Sequence, residues 1–269
     1  MRISALLAAA WLAAAPGPAA AERPGDDAFL RGMQAKSKRQ HAEALREFRA
    51  AADLGHTEAQ YVLGLKYLRG DGVRTDPDQA RGWFERAVES NHPLALTQLG
   101  EMHENGIGLP KDAARAAALY ERAALGGFAT AQTRLGALYE TGSGVPRDLH
   151  AAFDWYSLAA AQDHWDAQHR LGKLLRDGRA GEIEYVEAHR LFAASARGGN
   201  SFAKISLGEL YESGRGVPRD LARARALYMQ AAREGEPAAR ARLAALERGA
   251  ATARRPAAAP ARVVARSKP

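Results

Sequence analysis

Apolar and small residues recur along this chain in a helical rhythm that is itself repeated. Leu63, Leu99, Leu135, Leu171, Leu207 and Leu243 stand 36 residues apart. Gly64, Gly100, Gly136, Gly172 and Gly208 follow them, with Ala244 in the sixth place. Ala59, Ala95, Ala131, Ala167, Ala203 and Ala239 form a second register, and Ala44, Ala80, Ala116, Ala152, Ala188 and Ala224 a third. No gap is needed in any series, and self-similarity at a fixed period of this size marks a stacked repeat array. Within one copy, TEAQYVLGLKYLR places Ala59, Leu63, Gly64 and Tyr67 at helical spacing. A loop over 70–76 follows, then PDQARGWFERAVES, whose Pro77 suits a first helical turn because its missing N–H costs nothing there. The buried stripe of that second helix is Ala80, Trp83 or Phe84, Ala87 and Val88, with Trp155, Tyr156, Ala159 and Ala160 two copies on. Helix pairs with one apolar face bury it only by stacking on their neighbours. The expected fold is all-α, an α-solenoid of antiparallel helix pairs.

The recurring glycine inside the first helix needs a cause, because it costs roughly 0.5–1 kcal/mol against Ala. The cause expected is close approach of the second helix, with its small Ala against the glycine. Between the helices stand Gly70-Asp71-Gly72-Val73, Gly106-Ile107-Gly108-Leu109, Gly142-Ser143-Gly144-Val145 and Gly214-Arg215-Gly216-Val217. A phosphate-binding reading of G-x-G requires a preceding strand and a third glycine, and neither is present. These are turns, with glycine supplying positive φ. An acid follows in each copy (Asp76, Asp112, Asp148, Glu184, Asp220) and is expected to cap or start the second helix. His56, His92 and His164 share one phase, expected at the end of the second helix, where the dipole favours His.

The composite pattern A-x-A-x-x-x-L-G-x-x-Y, G-x-G-V-P-x-D, A-x-x-W/L-Y/F-x-x-A-A, seen most clearly at 129–164 and 201–236, resembles the Sel-one-like repeat family. These are relatives of the tetratricopeptide repeats with a longer loop. The resemblance covers residues 57–236 as five copies, preceded by a degenerate first helix pair at 26–56 and followed by a capping helix at 237–248. Copy four departs from the pattern, since 177–184 lacks the second phase-matched glycine and the proline; a reshaped loop is expected there, as a place for local specificity. The resemblance implies a right-handed superhelix and a role as adaptor or assembly scaffold, including exported bacterial members tied to envelope processes. Disulfide-rich exported members connected with β-lactam binding also exist, but this chain resembles the plain type.

Carrying over the tetratricopeptide register implies a partner-binding concave groove lined by the first helices. Copy one gives Tyr61 and Leu65, and copy two gives Thr97, Glu101 and Glu104. Copy three gives Thr133 and Glu140, copy four His169, Lys173 and Arg176, and copy five Glu209 and Glu212. Five glutamates with two cations concentrated at copy four imply an extended protein or peptide partner, basic or donor-rich, with an acidic group near Lys173 and Arg176. The alternative is a solvated face whose charges keep the solenoid soluble.

Composition narrows this further. The chain has 269 residues and no cysteine, which removes disulfides, thiolate metal sites and a thiol nucleophile together. Its net charge of +7 is carried mostly by Arg2 and by Arg254, Arg255, Arg262, Arg266 and Lys268, so the body is nearly balanced and lacks a nucleic-acid footprint. Residues 1–21 have a basic start, an apolar run too short to span a bilayer, and Ala19-Ala20-Ala21. That is the layout of a signal peptide cleaved after Ala21, which predicts a periplasmic or secreted protein with no membrane span. The stretch 249–269, rich in Ala, Pro and Arg, reads as a disordered basic tail; its alternative role is weak contact with anionic envelope polymers. Ser201-Phe202-Ala203-Lys204 spells the S-x-x-K of penicillin-recognising enzymes, but their S-D-N and K-T-G elements are missing. The histidines show no metal-ligand spacing, and no cofactor is implied. The reading is a non-enzymatic exported scaffold. Its alternatives are an envelope enzyme, for which only Glu101 with Glu104 offers paired carboxylates, and a structural envelope protein tethered by its tail.

Overall fold

The computed structural model describes residues 23–253; the expected signal segment 1–21, its expected cleavage after Ala21 and the part of the expected tail from 254 onward lie outside the described residues. Among the described residues the chain forms thirteen α-helices and no strand. The first helix pair is α1 (Asp26–Ser37) and α2 (His41–Asp53). Copies one to three supply α3 (Thr57–Arg69) and α4 (Pro77–Glu89), α5 (Pro93–Asn105) and α6 (Ala113–Leu125), and α7 (Ala129–Thr141) and α8 (Leu149–Ala160). Copies four and five supply α9 (Trp165–Asp177) and α10 (Tyr185–Arg197), then α11 (Ser201–Ser213) and α12 (Leu221–Arg233), and the chain closes with α13 (Pro237–Ala253). This last helix runs past 248, where the tail was expected to begin. The chain divides into two compact units after Ile183, so unit one holds α1–α9 and unit two α10–α13.

Each copy is a helical hairpin closed by the same loop chemistry. The first helix ends on a glycine in the left-handed region, as at Gly106 with φ 73°. The loop then returns to the helix it left: the backbone N–H groups of Asp76, Asp112, Asp148 and Asp220 donate to the carbonyls of Tyr67, His103, Tyr139 and Tyr211. Those four aspartates also cap the second helix, their side chains accepting from Gln79, Arg115, Ala151 and Arg223 N–H. Copy four differs, as its sequence implied. Glu184 stands at the start of α10, as expected of the acid in each copy, but unlike the aspartates makes no side-chain cap bond. The division between the two units falls in this loop.

The in-helix glycines are sites of close approach to the second helix, as expected, but the nearest neighbour is an aromatic ring rather than the alanine. A Cβ at Gly64, Gly100, Gly136 or Gly208 would lie 2.4–2.7 Å from the ring of Phe84, Tyr120, Tyr156 or Tyr228. The second helix places its aromatic ring against the missing side chain, and at Gly136 the carbonyl of Ala152, from the alanine phase, also comes within 3.3 Å of that Cβ. Those four rings are fully buried, as is Phe48, which meets Gly32 in the same way.

Junctions between copies carry a further periodic signal. Gly55, Asn91, Gly127, Asp163, Gly199 and Gly235 all take positive φ, which lets the chain leave one second helix and enter the next first helix. His56, His92 and His164 follow directly, and they cap the helix ahead of them rather than ending the one behind. Their Nδ1 atoms accept from the N–H of Ala59, Ala95 and Ala167 at 3.1, 3.2 and 3.4 Å. Asn200 does the same with its side-chain oxygen. A ring nitrogen that accepts must be unprotonated, so the cap works with neutral histidine.

Candidate functional site

The residues assigned to the groove fall into three kinds. Tyr61 and Leu65 are partly buried against the core, with the Tyr61 ring 6.0 Å from Phe84 and 4.9 Å from His92. Thr97 and Thr133 are buried, and each returns its hydroxyl to the carbonyl four residues back, Pro93 and Ala129, at 2.8 Å. They stand behind the first-helix face rather than on it. Glu101, Glu104, Glu140 and the copy-four cations form the face itself in unit one; Glu209 and Glu212 stand on α11 of unit two.

The glutamates are held, not free. Tyr120, Tyr156 and Tyr228, deep in the second helices, donate their hydroxyls to Oε2 of Glu104, Glu140 and Glu212 at 2.7, 2.9 and 2.7 Å. Burial, reinforced by these acceptors, pushes the three phenols well above their ordinary range. The same phases show the rule: where the second helix carries Phe84 or Phe192, the first helix carries Leu68 or Arg176. Glutamate occurs only opposite tyrosine, because a buried hydroxyl needs an acceptor. This pairing is visible in the sequence once the offset is known, but nothing local announces it.

Ion pairs then join neighbouring copies. Arg134 reaches Glu101 at 2.8 Å, and Gln98 donates to the other oxygen of Glu101. Arg179, in the reshaped copy-four loop, reaches Glu140 Oε1 at 2.7 Å. In unit two Arg242 meets Glu209 at 2.5 Å. The result in unit one is a polar first-helix face with fixed side chains, Glu104 held by Tyr120 and Glu140 by both Tyr156 and Arg179. The face continues into α9, where His169, Lys173 and Arg176 follow at helical spacing; Arg176 pairs with Asp177 at 2.7 Å.

Burial, then the Lys173 charge, pulls the His169 imidazole down to about 4, against Asp166, which opposes the shift. His103, His164 and His189 are also lowered, in each case mainly by burial. The unfolded chain takes up these protons near pH 6.5 and the folded chain does not, so stability falls as pH drops from about 6.5 toward 4. His169 alone should account for on the order of 3 kcal/mol at the acid end of that window. Urea midpoints measured across this range should fall steadily, and His169→Gln should make the fall shallower.

The candidate chemistry elsewhere is otherwise engaged. Ser201 donates to Glu236 at 2.7 Å and Lys204 pairs with Glu234, so S-x-x-K forms no nucleophile–base pair. Among the described residues no group of three or more His, Asp or Glu is placed to hold a metal, and no helix is long and apolar enough to cross a membrane.

Comparison with known proteins agrees with this architecture. The Sel1 repeat matches at 57–92, 93–128, 129–164, 165–200 and 201–236. No curated protein matches the chain. A protective antigen of uropathogenic Escherichia coli displaying an SLR fold is similar at 32% identity and a TM-score of 0.77, over 84% of this chain and 50% of that one. This chain thus spans half the length of that antigen. A Sel1 repeat protein from Oxalobacter formigenes is similar at 29% identity and a TM-score of 0.73, over 78% and 86% of the two chains.

Proposed function

Because the chain belongs to the Sel1 repeat family, whose paired-helix solenoids generally serve protein–protein interaction, we propose that it is a non-enzymatic scaffold that binds a protein or peptide on its first-helix face. The observation that carries this reading is the held carboxylate of unit one, at Glu104 and Glu140, with Glu212 held in the same way within unit two. A polar group already fixed by a buried hydroxyl loses little freedom when a ligand arrives, so its hydrogen bonds convert efficiently into affinity. Carboxylates in fixed positions suit a partner rich in Lys, Arg or backbone N–H donors, and Lys173 suits an acidic group on the same partner. Export through residues 1–21 places this activity in the periplasm or outside the cell, in envelope assembly or regulation.

The test separates charge from fold. Glu104→Gln, Glu140→Gln and Glu212→Gln together keep a carbonyl oxygen for each tyrosine and remove three negative charges. The triple variant should melt within about 3 °C of the parent, since each hydroxyl keeps its acceptor. Tagged parent protein, isolated from the exported fraction of its host with an intact mass beginning at Glu22, should retain partners that the variant loses. Equal capture by the two would make the face a solvated one and end this reading.

A further inference from the structure

Unit two holds an open cleft of about 780 Å³ between α10 and α12, with α11 supplying Lys204 and Leu207. Its origin is clear from the repeat phases. Residue 227 shares a phase with Trp83, Leu119 and Trp155, and residue 230 with Arg86, Arg122 and Leu158. In unit one these positions close the space between successive second helices. Arg86 stacks 4.5 Å from the Trp83 ring. Arg122 crosses to the Val88 carbonyl and to Asn91 at 3.1 and 2.6 Å. Trp155 is buried, and Leu158 is packed into the same cluster. On α12, which borders the cleft, the pair is Leu227 and an exposed Gln230, which lack the bulk or reach of those pairs.

The lining states what is missing. Leu207 is buried, Ala193 and Leu227 add apolar wall, and Val186 stands 71% exposed at the mouth. Cations ring this surface: Glu187 holds Arg190 and Glu234 holds Lys204, but Arg197 pairs with no carboxylate among the described residues. The chain's own C-terminal stretch, with Arg254, Arg255, Arg262, Arg266 and Lys268 and no acid, has the wrong charge to fill it. An apolar cleft with an unmatched cation at its rim calls for an apolar group carrying a negative neighbour.

We propose that this cleft is a second docking site, taking a peptide segment of a partner protein that inserts an aromatic side chain between α10 and α12 and sets an adjacent carboxylate on Arg197. The aromatic ring stands where Trp83 and Trp155 stand in their own copies. This site is independent of the first-helix face, so either can fail without the other.

The full chain is titrated with an acetylated, amidated Asp-Trp-Glu peptide while the methyl signals of Val186, Leu207 and Leu227 are followed by NMR. Those methyls should shift, and Asp-Ala-Glu and Lys-Trp-Lys should each bind at least about tenfold more weakly. Leu227→Trp, which restores the residue of phases 83 and 155, should abolish binding, and Arg197→Glu should weaken it about fivefold or more. Val186→Glu, at an exposed position that leaves the fold unaffected, should also abolish it. Absence of methyl shifts at millimolar peptide, equal binding of Asp-Ala-Glu, or undiminished binding by Val186→Glu would overturn the proposal. So would a concentration-dependent dimer that disappears in Leu227→Trp, which would give the cleft to a second copy of this chain.

Discussion

Gly144→Ala should destabilise unit one by roughly 2–4 kcal/mol, a large effect for the addition of one methyl group. Two costs coincide at this position. Gly144 takes φ 73°, a left-handed conformation that L side chains adopt at a cost of about 1–2 kcal/mol. Its added Cβ would also lie 2.2 Å from the Ala113 carbonyl carbon, at the start of α6 in the preceding copy. A side chain could rotate away, but backbone at the head of a helix cannot, so the loop must lift off its neighbour. Gly142→Ala shares the left-handed backbone at φ 76°, yet its Cβ would meet the Arg147 side chain at 3.1 Å and so should cost less. Urea denaturation followed by circular dichroism reads both variants. Equal losses for the two would mean that copies do not stack through the second glycine.

Glu104→Leu should cost roughly 1–3 kcal/mol, and adding Tyr120→Phe should recover most of it. The single change leaves the buried Tyr120 hydroxyl without its acceptor at 2.7 Å. The double change reproduces what copy one already contains, Leu68 opposite Phe84. Denaturation midpoints of the four members of this cycle give the coupling directly, and a coupling near zero would show that the hydroxyl finds another acceptor. The same geometry bears on charge reversal. Charges on a merely solvated face could be reversed to Lys at Glu101, Glu104 and Glu140 without loss of stability. Glu104 and Glu140 instead anchor buried phenols, so their reversal would remove binding and stability together; the glutamine variants separate the two.

The helix pairs, their order and their boundaries were legible because each copy states its pattern in full. Leu63, Gly64 and Asp76 belong to series with local meanings, namely core stripe, close approach and cap, and Pro77 marks a helix start in its own copy. Other periodic signals were present but misassigned. His56, His92 and His164 lie between two helices, and a sequence does not say which helix a junction residue serves; the Nδ1 bonds to Ala59, Ala95 and Ala167 decide it. The mid-helix glycine called for a tight neighbour, but four residues separate the alanine and aromatic phases of the second helix, and only packing selects the ring.

The candidate faces were less legible. Thr97 and Glu101 lie one helical turn apart, yet one is buried and the other bonded to Arg134 of the next copy. Register carried over from a related repeat gives direction to within about a turn, and burial changes over that distance. The cleft of unit two left no motif at all, since it arises from what Leu227 and Gln230 lack.

The sequence by itself determined the repeat, its helical hairpins, the turns between them and the absence of thiol chemistry. Each of these follows from short-range rules that act within one copy: helical periodicity, capping and positive φ at glycine. Tertiary structure alone decided which polar side chains are supports and which are surface. That choice depends on contacts made across helices and between copies, where a buried Tyr156 hydroxyl claims Glu140 and an arginine from the next copy claims its second oxygen.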